Sequence, residues 1–231
     1  MKARGVFVTG TDTGVGKTRV AVALIHKLRG QGLRVAAMKP VASGGMSGAL
    51  NADVAALVAA ADVVADLADV NPYAFVEPVA PHIAAESSGV RIELDVLAAA
   101  FARLAAAADV VVVEGAGGWR VPLNDTDDMA DLAQRLGLPV VLVVGLRLGC
   151  LNHALLTAES IAARGVPWAG WIGNHIDPEM GRQAANLDTL HARLDGPCLG
   201  VQPYLPLASL ADEPVGWLRL PAALEHPYKG E

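Results

Sequence analysis

The sequence predicts an α/β fold in which a mostly parallel sheet carries helices on both faces. Six apolar runs of strand length alternate with alanine-rich helical segments along the chain. Several of these runs are continuously apolar, such as the valines that follow Asp109, which is typical of strands covered on both sides. Repeated strand–helix units also favour parallel strands joined by right-handed crossovers.

The individual elements can be assigned in chain order from these patterns. Strands are expected at Gly5–Thr9, Arg34–Lys39, Asp109–Val113, Pro139–Val144, Trp168–Gly173 and Cys198–Val201. Helices are expected at Lys17–Gly30, Asn51–Ala61, Glu93–Ala108, Met129–Leu136, Asn152–Arg164 and Met180–Asp195. Two stretches break the alternation: Ala42–Leu50, rich in glycine and serine, is expected to be mobile, and Val70–Glu86, with three prolines, is expected to be an ordered loop rather than a helix. Loops of this length in a compact domain are usually functional or disordered.

Length and composition favour one domain over residues 1–231. A chain of 231 residues is within the size range of a single α/β domain, and the sequence contains no internal repeat or linker. No apolar run reaches the ~18 residues of a membrane span, and the first residues lack the apolar segment of a secretion signal. Cys150 and Cys198 lie in apolar segments and suit a reducing compartment. We therefore expect a cytoplasmic protein with no membrane partner.

The charge pattern argues against nucleic-acid binding. The formal net charge is −6, and no basic run is present that could displace counterions from a phosphate backbone. We therefore expect small-molecule ligands and no nucleic-acid partner.

The stretch Val6–Thr18, VFVTGTDTGVGKT, has the context of a phosphate-binding loop, because a strand precedes it and a helix follows. The usual spacing, G-x-x-x-x-G-K-[ST], would require glycine at position 11, whereas the glycine is at Gly10, so the loop is longer by one residue. Backbone N–H groups around Gly14 and Gly16, together with the helix start, can bind an anion.

The end of this loop supplies two further phosphate-binding groups. Lys17 would bridge phosphate oxygens, and the hydroxyl of Thr18 would bind magnesium. The alternative is a simple helix start with an exposed lysine. The loop interpretation predicts a P-loop NTPase-like fold.

Three other charged residues are expected near the same edge of the sheet, where ligands of parallel α/β folds bind. Lys39 ends the second predicted strand, although a surface lysine would have the same position. Asp53 lies near a helix start, where by itself it need only offset the helix dipole. Glu114 ends a buried strand before a glycine-rich turn, like the acidic residue of the magnesium-binding strand in P-loop enzymes; a solvated turn is the alternative.

Two further segments suggest ligand contacts. Gly149–Asn152 lies at a helix start, where free N–H groups suit a carboxylate. Cys150 and His153, at helical spacing, could instead form a nucleophile–base pair, but no third orienting group is evident, and the histidines lack zinc-binding spacing. Asn174 and Asp177 partly match the guanine-binding N-K-x-D motif, with His175 in place of its lysine, which leaves the identity of the base open.

Several of these motifs, in this order, resemble the dethiobiotin synthetase family of biotin biosynthesis. The similarity extends from about Val6 to Asn174, and the lengthened loop is a feature of that family; beyond Pro203 the chain follows no recognisable pattern. The motifs that carry the resemblance are GTDTGVGKT, KPVASG, VNPYAFVEPVAPHI, VEGAGGW and LGCLNHA.

The resemblance implies an ATP- and Mg²⁺-dependent cyclo-ligase that acts as a homodimer. Its substrates would be 7,8-diaminononanoate, CO₂ and ATP, and its products dethiobiotin, ADP and phosphate. A substrate amine would capture CO₂ as a carbamate, which would then be phosphorylated to a carbamic–phosphoric anhydride and closed to the cyclic urea.

The resemblance also implies roles for individual residues. Lys17 and Lys39 would be catalytic, and Thr18, Asp53 and Glu114 would hold the metal. The substrate would contact Thr13 and Ser43 and, from the other subunit, Gly149, Cys150, Leu151 and Asn152. ATP would contact Gly14, Val15, Gly16, Lys17, Thr18, Asp53, Glu114, Gly115, Ala116, Gly117, Asn174, Pro203 and Tyr204. Some members of the family carry an acidic residue at the position of Gly14, so no catalytic side chain is expected there.

Two other classes of protein share parts of this pattern. Partitioning-type P-loop ATPases, which are nucleotide switches, commonly have a second lysine in the loop, whereas positions 11–13 here are Thr-Asp-Thr. Amide-forming ligases acting on corrin-like precursors would need an additional glutamine-hydrolysing domain, for which the chain is too short. The preference among ATP, CTP and GTP is left open by the sequence.

Overall fold

The computed structural model describes residues 5–45, 50–204 and 215–225. Its strands are β1 (Gly5–Gly10), β2 (Val35–Met38), β3 (Val41–Ser43), β4 (Tyr73–Phe75), β5 (Val110–Glu114), β6 (Val140–Leu146), β7 (Trp168–His175) and β8 (Cys198–Gln202). Its α-helices are α1 (Lys17–Arg29), α2 (Ala52–Ala60), α3 (Leu67–Val70), α4 (Pro81–Ser87), α5 (Leu94–Ala107), α6 (Met129–Leu136), α7 (Cys150–Ala163) and α8 (Gln183–Arg193).

Six strands form one parallel sheet in the order β2-β5-β1-β6-β7-β8. β1 lies in the middle, with Val8 opposite Glu114 of β5 and Thr9 opposite Leu142 of β6. All six strands predicted from the apolar runs are present, which confirms the predicted fold class. This register brings the carboxyl ends of β1, β2 and β5 together at one edge.

Helices cover both faces of the sheet, as the continuous apolar strands require. Val6 and Val8 of β1 pack on one face against α1 and α2, whereas Phe7 packs on the other face among residues of α5 and α6. Side chains of α7 and α8 extend this second face over β6 and β7, around Trp171. The alternation within β1 follows from the opposite directions of successive side chains in a strand.

The prediction that Val70–Glu86 forms a loop without a helix is wrong. Tyr73–Phe75 forms a strand that pairs in parallel with Val41–Ser43, and Pro81–Ser87 forms a helix. Proline is tolerated at the first helical position, because the N–H that it lacks would have no intrahelical partner there. The three prolines therefore delimit short elements, and they do not exclude them. Within the stretch expected to be mobile, residues 46–49 lie outside the described part of the chain.

The C-terminal segment, which follows no sequence pattern, packs against the sheet where it is described. Leu218, Leu220 and Leu224 are buried on the α1 face of the protein. The backbone N–H of Arg219 donates to Leu199 O on the edge strand β8 at 2.6 Å. Residues 215–225 thus cover part of that edge. Among the described residues, no helix has the length and apolar character needed to cross a membrane.

Candidate active site

A cavity of about 1210 Å³ opens at the carboxyl edge of the sheet. The phosphate loop, the end of β2, the start of α2 and the turn after β5 contribute to its walls. The residues predicted from the sequence that line it are Thr13, Gly14, Gly16, Lys17, Thr18, Lys39, Ser43, Asp53, Glu114, Ala116, Gly117, Asn174 and Tyr204. The fold therefore brings together groups from six separate segments of the chain.

At two positions of the phosphate loop, neighbouring atoms lie too close for any residue larger than glycine. Gly16 has φ 88°, and a Cβ atom at this position would lie 2.0 Å from Asn174 Nδ2. A Cβ atom on Gly10 would lie 2.6 Å from Cγ2 of Val15, a buried residue of the same loop. The amide of Asn174 donates to Val15 O at 2.8 Å and so ties β7 to the loop.

Lys17 folds back over the lengthened loop, and its Nζ donates to Asp12 O at 3.0 Å. The carboxylate of Asp12 accepts from the backbone N–H of Thr13 at 2.7 Å and forms an ion pair with Arg147 at the end of β6. The loop is therefore held in shape around an inward-facing ammonium group. Burial and the nearby charge of Lys39 lower the pKa of Lys17 from 10.5 to about 8, so an anion in the cavity would favour its charged form.

Lys39 lies between two carboxylates at the end of β2. Its Nζ is 2.5 Å from Glu114 Oε1 and 2.9 Å from Asp53 Oδ2. Burial opposes the charge on Lys39, but Glu114 and Asp53 outweigh this effect and raise its pKa. Burial likewise opposes ionisation of Asp53, but Lys39 outweighs it and lowers the pKa of that carboxyl. Lys39 and Asp53 are therefore both charged at neutral pH.

Local structure fixes each carboxylate of this cluster. Glu114 is the last residue of β5 and is wholly buried, and its Oε1 accepts from the Thr18 hydroxyl at 2.9 Å. Asp53 lies in the first turn of α2, whose N-cap is Asn51; the Asn51 side chain accepts from Asp53 N at 2.9 Å. Serving as an N-cap is a common role of asparagine.

The oxygen atoms of this cluster fit a magnesium ion. Glu114 Oε2 is buried without a hydrogen-bond partner, and the Thr18 hydroxyl donates to the other oxygen of this carboxylate. The Asp53 carboxylate accepts from Lys39, which also contacts Glu114. Within the described part of the chain, no group of three or more His, Cys, Asp or Glu side chains is placed to hold a metal. Magnesium nevertheless needs only one or two carboxylates when nucleotide phosphates complete its shell, so two carboxylates and a hydroxyl are suitable.

Several predicted contacts do not line the cavity: Val15, Gly115, Pro203, Gly149, Cys150, Leu151 and Asn152. Gly115 packs on Phe7 and donates its N–H to Val8 O at 3.0 Å. Gly149 precedes α7 with φ 94°, and Leu148 beside it is 95% exposed. The turn that precedes α7 is therefore exposed at the surface, away from the residues that line the cavity.

The geometry does not favour the alternative pairing of Cys150 with His153. Cys150 is buried in an apolar cluster with Leu142 and Val144, whereas His153 is exposed. The partial N-K-x-D match is also incomplete in space. Asp177 Oδ1 accepts from Glu179 N at 3.0 Å in a turn, and Asp177 does not line the cavity.

The cavity also contains residues that the sequence analysis did not assign to it. They include Asn51, His175 and Ile176, the apolar side chains Val41, Ala42 and Val121, and the run Pro78–Pro81. The proline-rich stretch was recognisable as an unusual motif, but no pattern indicated that it would line the same cavity as the phosphate loop.

Comparison with known proteins agrees with this geometry. An AAA domain family model matches residues 4–211. ATP-dependent dethiobiotin synthetase BioD of Aromatoleum aromaticum is 54% identical over 221 residues, covering 94% of this chain and 98% of the relative. The protein of the same name from Nitrosospira multiformis is 53% identical over 201 residues, covering 87% of this chain and 88% of the relative.

Solved structures with a similar fold are more distant in sequence. The septum site-determining protein MinD of Pyrococcus horikoshii, complexed with Mg-ADP, has a TM-score of 0.53 at 18% identity and covers 87% of this chain and 81% of that one. The cell division protein MinD of Aquifex aeolicus has a TM-score of 0.54 at 17% identity and covers 88% of this chain and 84% of that one. At these identities the likeness concerns the fold alone.

Proposed function

Because the chain belongs to the ATP-dependent dethiobiotin synthetase family, we propose that it converts 7,8-diaminononanoate, CO₂ and ATP into dethiobiotin, ADP and phosphate. The family expected from the sequence motifs is thereby confirmed. A nucleotide switch of the partitioning type is not favoured, since the relatives that are 53–54% identical to this chain are named ATP-dependent dethiobiotin synthetases.

The observation that carries the proposal is that two buried lysines, Lys17 and Lys39, line one cavity together with Glu114. Joining a carbamate to ATP brings two anions together, and each would repel the other without nearby positive charge. Lys17, with the backbone N–H groups of the loop, is suited to the phosphates. Lys39, which follows β2, is suited to the carbamate.

The reaction then needs mainly positioning and charge stabilisation. One substrate amine attacks CO₂ and loses a proton, which gives the carbamate. A carbamate oxygen attacks the γ-phosphorus, and the bond to ADP breaks. The neighbouring amine attacks the carbonyl carbon of the resulting anhydride and expels phosphate as the cyclic urea closes. Lys17 and Lys39 would hold the reacting oxygens in line throughout.

Thr18, Asp53 and Glu114 would hold Mg²⁺, which would neutralise charge on the phosphate oxygens. Lys39 contacts both of these carboxylates in the structure. We infer that its ammonium turns towards the carbamate when the carboxylates serve the metal. A lysine side chain has the rotational freedom for this shift.

The remaining walls suit the rest of the substrates. Thr13 and Ser43 supply hydroxyls to the cavity that contains the two lysines, and the apolar Pro78–Pro81 run and Val121 suit an aliphatic chain. Asn174 and Tyr204, with the neighbouring Pro203, would contact the base.

The start of α7 would bind the substrate carboxylate in a second subunit. Gly149–Asn152 does not line the cavity of its own subunit, and Leu148 and Leu156 are exposed apolar residues on the same element or beside it. These features support a homodimer in which each site uses both chains.

The test is a reaction of purified protein with diaminononanoate, bicarbonate, Mg²⁺ and ATP. Mass spectrometry should detect dethiobiotin, and phosphate should appear in equal amount and only when the diamine is present. Steady ATP hydrolysis without the diamine, and no dethiobiotin with it, would support a nucleotide switch instead.

A further inference from the structure

The motif Val70-Asn71-Pro72-Tyr73, which the reaction does not use directly, lies against the backbone of Lys39. The N–H of Lys39 donates to Val70 O at 2.8 Å, and the side-chain amide of Asn71 donates to Lys39 O at 2.7 Å. Tyr73 N donates to Pro40 O at 3.3 Å. Three successive contacts thus hold the chain on both sides of the Lys39 α-carbon.

These contacts replace the support of the sheet, which Lys39 has already left. The paired register of β2 with β5 ends at Met38 opposite Val113, one residue before Lys39. Because Pro40 follows, the next residue has no N–H with which to continue a ladder. The backbone position of Lys39 therefore depends on the α3–β4 connection.

Asn71 is well placed to fix that position. It is only 9% exposed, and its amide nitrogen also donates to Tyr73 O at 3.1 Å, which sets the orientation of the amide group. Loss of this side chain would leave the Lys39 carbonyl buried without that partner, and a buried unpaired carbonyl tends to move until it finds another.

We propose that Asn71 is a positioning residue for Lys39 and that it acts on the carbamate step through the Lys39 backbone. The proposal rests on the function given above. A displacement of about 1 Å at a reacting group can lower a rate by about 100-fold. The bonds that Asn71 donates reach Lys39 and Tyr73, neither of which belongs to the phosphate loop, so nucleotide binding should be preserved.

Two variants test this inference, Asn71→Ala and the nearly isosteric Asn71→Leu, which leaves no room for a replacement water. Both should lower kcat for dethiobiotin about 10- to 100-fold. The KM for ATP, and its Kd from calorimetry, should stay within about 2-fold of the original values.

The matched control is Asn124→Ala. Asn124 also donates two side-chain hydrogen bonds, to Ile92 O at 2.8 Å and to Asp127 Oδ2 at 2.9 Å, and it does not line the cavity. Because Asn124 Oδ1 also accepts from Thr126 N and Asp127 N, Asn124→Ala should lower Tm by at least as much as Asn71→Ala, while kcat changes less than about 2-fold.

The possible failures are distinct. If the unaltered protein forms dethiobiotin and both Asn71 variants keep its kcat, the inference about Asn71 is overturned and the proposed function stands. Loss of ATP binding or of the fold in both variants would assign Asn71 a purely structural role and would also overturn the inference. If the unaltered protein makes no dethiobiotin, the proposed function itself fails.

Discussion

The ammonium of Lys39 lies 2.5 Å from Glu114 Oε1 in the interior of the protein. Glu114 is wholly buried and Lys39 is only 4% exposed, so neither charge is stabilised by bulk water. An isolated buried charge is unfavourable, which makes each of these residues the main compensation for the other. The same relationship keeps a lysine and a candidate metal ligand in one place before substrates bind.

The first prediction concerns Lys39→Gln. This variant should bind ATP with nearly unchanged affinity but form almost no dethiobiotin, because Lys39 serves the carbamate more than the nucleotide. Calorimetry gives the affinity, and mass spectrometry gives the product. Unchanged turnover would refute the assignment.

Lys17→Gln should have a different effect. Since Lys17 belongs to the phosphate loop and its ammonium faces the cavity, both ATP affinity and turnover should fall by at least about 10-fold. The same two measurements distinguish the lysines. If Lys17→Gln lowered only dethiobiotin formation and Lys39→Gln lowered only ATP affinity, the roles assigned to the two lysines would have to be exchanged.

The buried pair of Lys39 and Glu114 should also contribute measurably to the free energy of unfolding. Lys39→Met leaves Glu114 without its charge partner and should lower the free energy of unfolding by about 3 kcal/mol. Adding Glu114→Gln removes the uncompensated charge, so the double variant should be more stable than Lys39→Met alone. Urea titrations of the two single variants and the double variant measure this coupling. Additive losses would show that the pair does not act as a unit.

A glycine comparison tests the packing of the phosphate loop. Gly16→Ala combines a left-handed φ of 88° with a contact 2.0 Å from Asn174 Nδ2, whereas Gly14→Ala, at φ 73°, meets no atom within 4 Å. Backbone strain should lower the free energy of unfolding of both variants by about 1 kcal/mol. The contact with Asn174 should add a further loss in Gly16→Ala. Thermal unfolding of the two variants gives the difference, and equal losses would argue against the tight contact.

The lowered pKa of Lys17 predicts that ATP binding depends on pH. With a pKa of about 8, part of the Lys17 population is neutral in the free protein at and above that pH. Phosphate favours the ammonium form, so the complex holds more protons than the free protein, and affinity should fall as the pH rises above about 8. Calorimetry at pH 8 in buffers of different ionisation enthalpy should detect proton uptake. Lys17→Arg, which stays charged, should show no such uptake.

The amino-acid sequence by itself determined the parallel sheet, its six strands and the place of the phosphate loop. Those features are local: continuous apolar runs such as Val110–Val113 identify buried strands, and the glycines before Lys17 identify a turn that can approach an anion. Because parallel strands end at the same edge, the sequence also predicted that Lys39 and Glu114 would lie near Lys17.

Only the tertiary structure decided what each of these groups touches. Three examples join parts of the chain that are far apart in sequence: the contact of Asn71 with Lys39, the burial of Leu218, and the place of Pro78–Pro81 in the cavity wall. The start of α7 was expected to serve a ligand of a second subunit, and in the structure Gly149–Asn152 does not line the cavity. Such contacts depend on the path by which the chain returns to the sheet, and no local periodicity or spacing encodes that path.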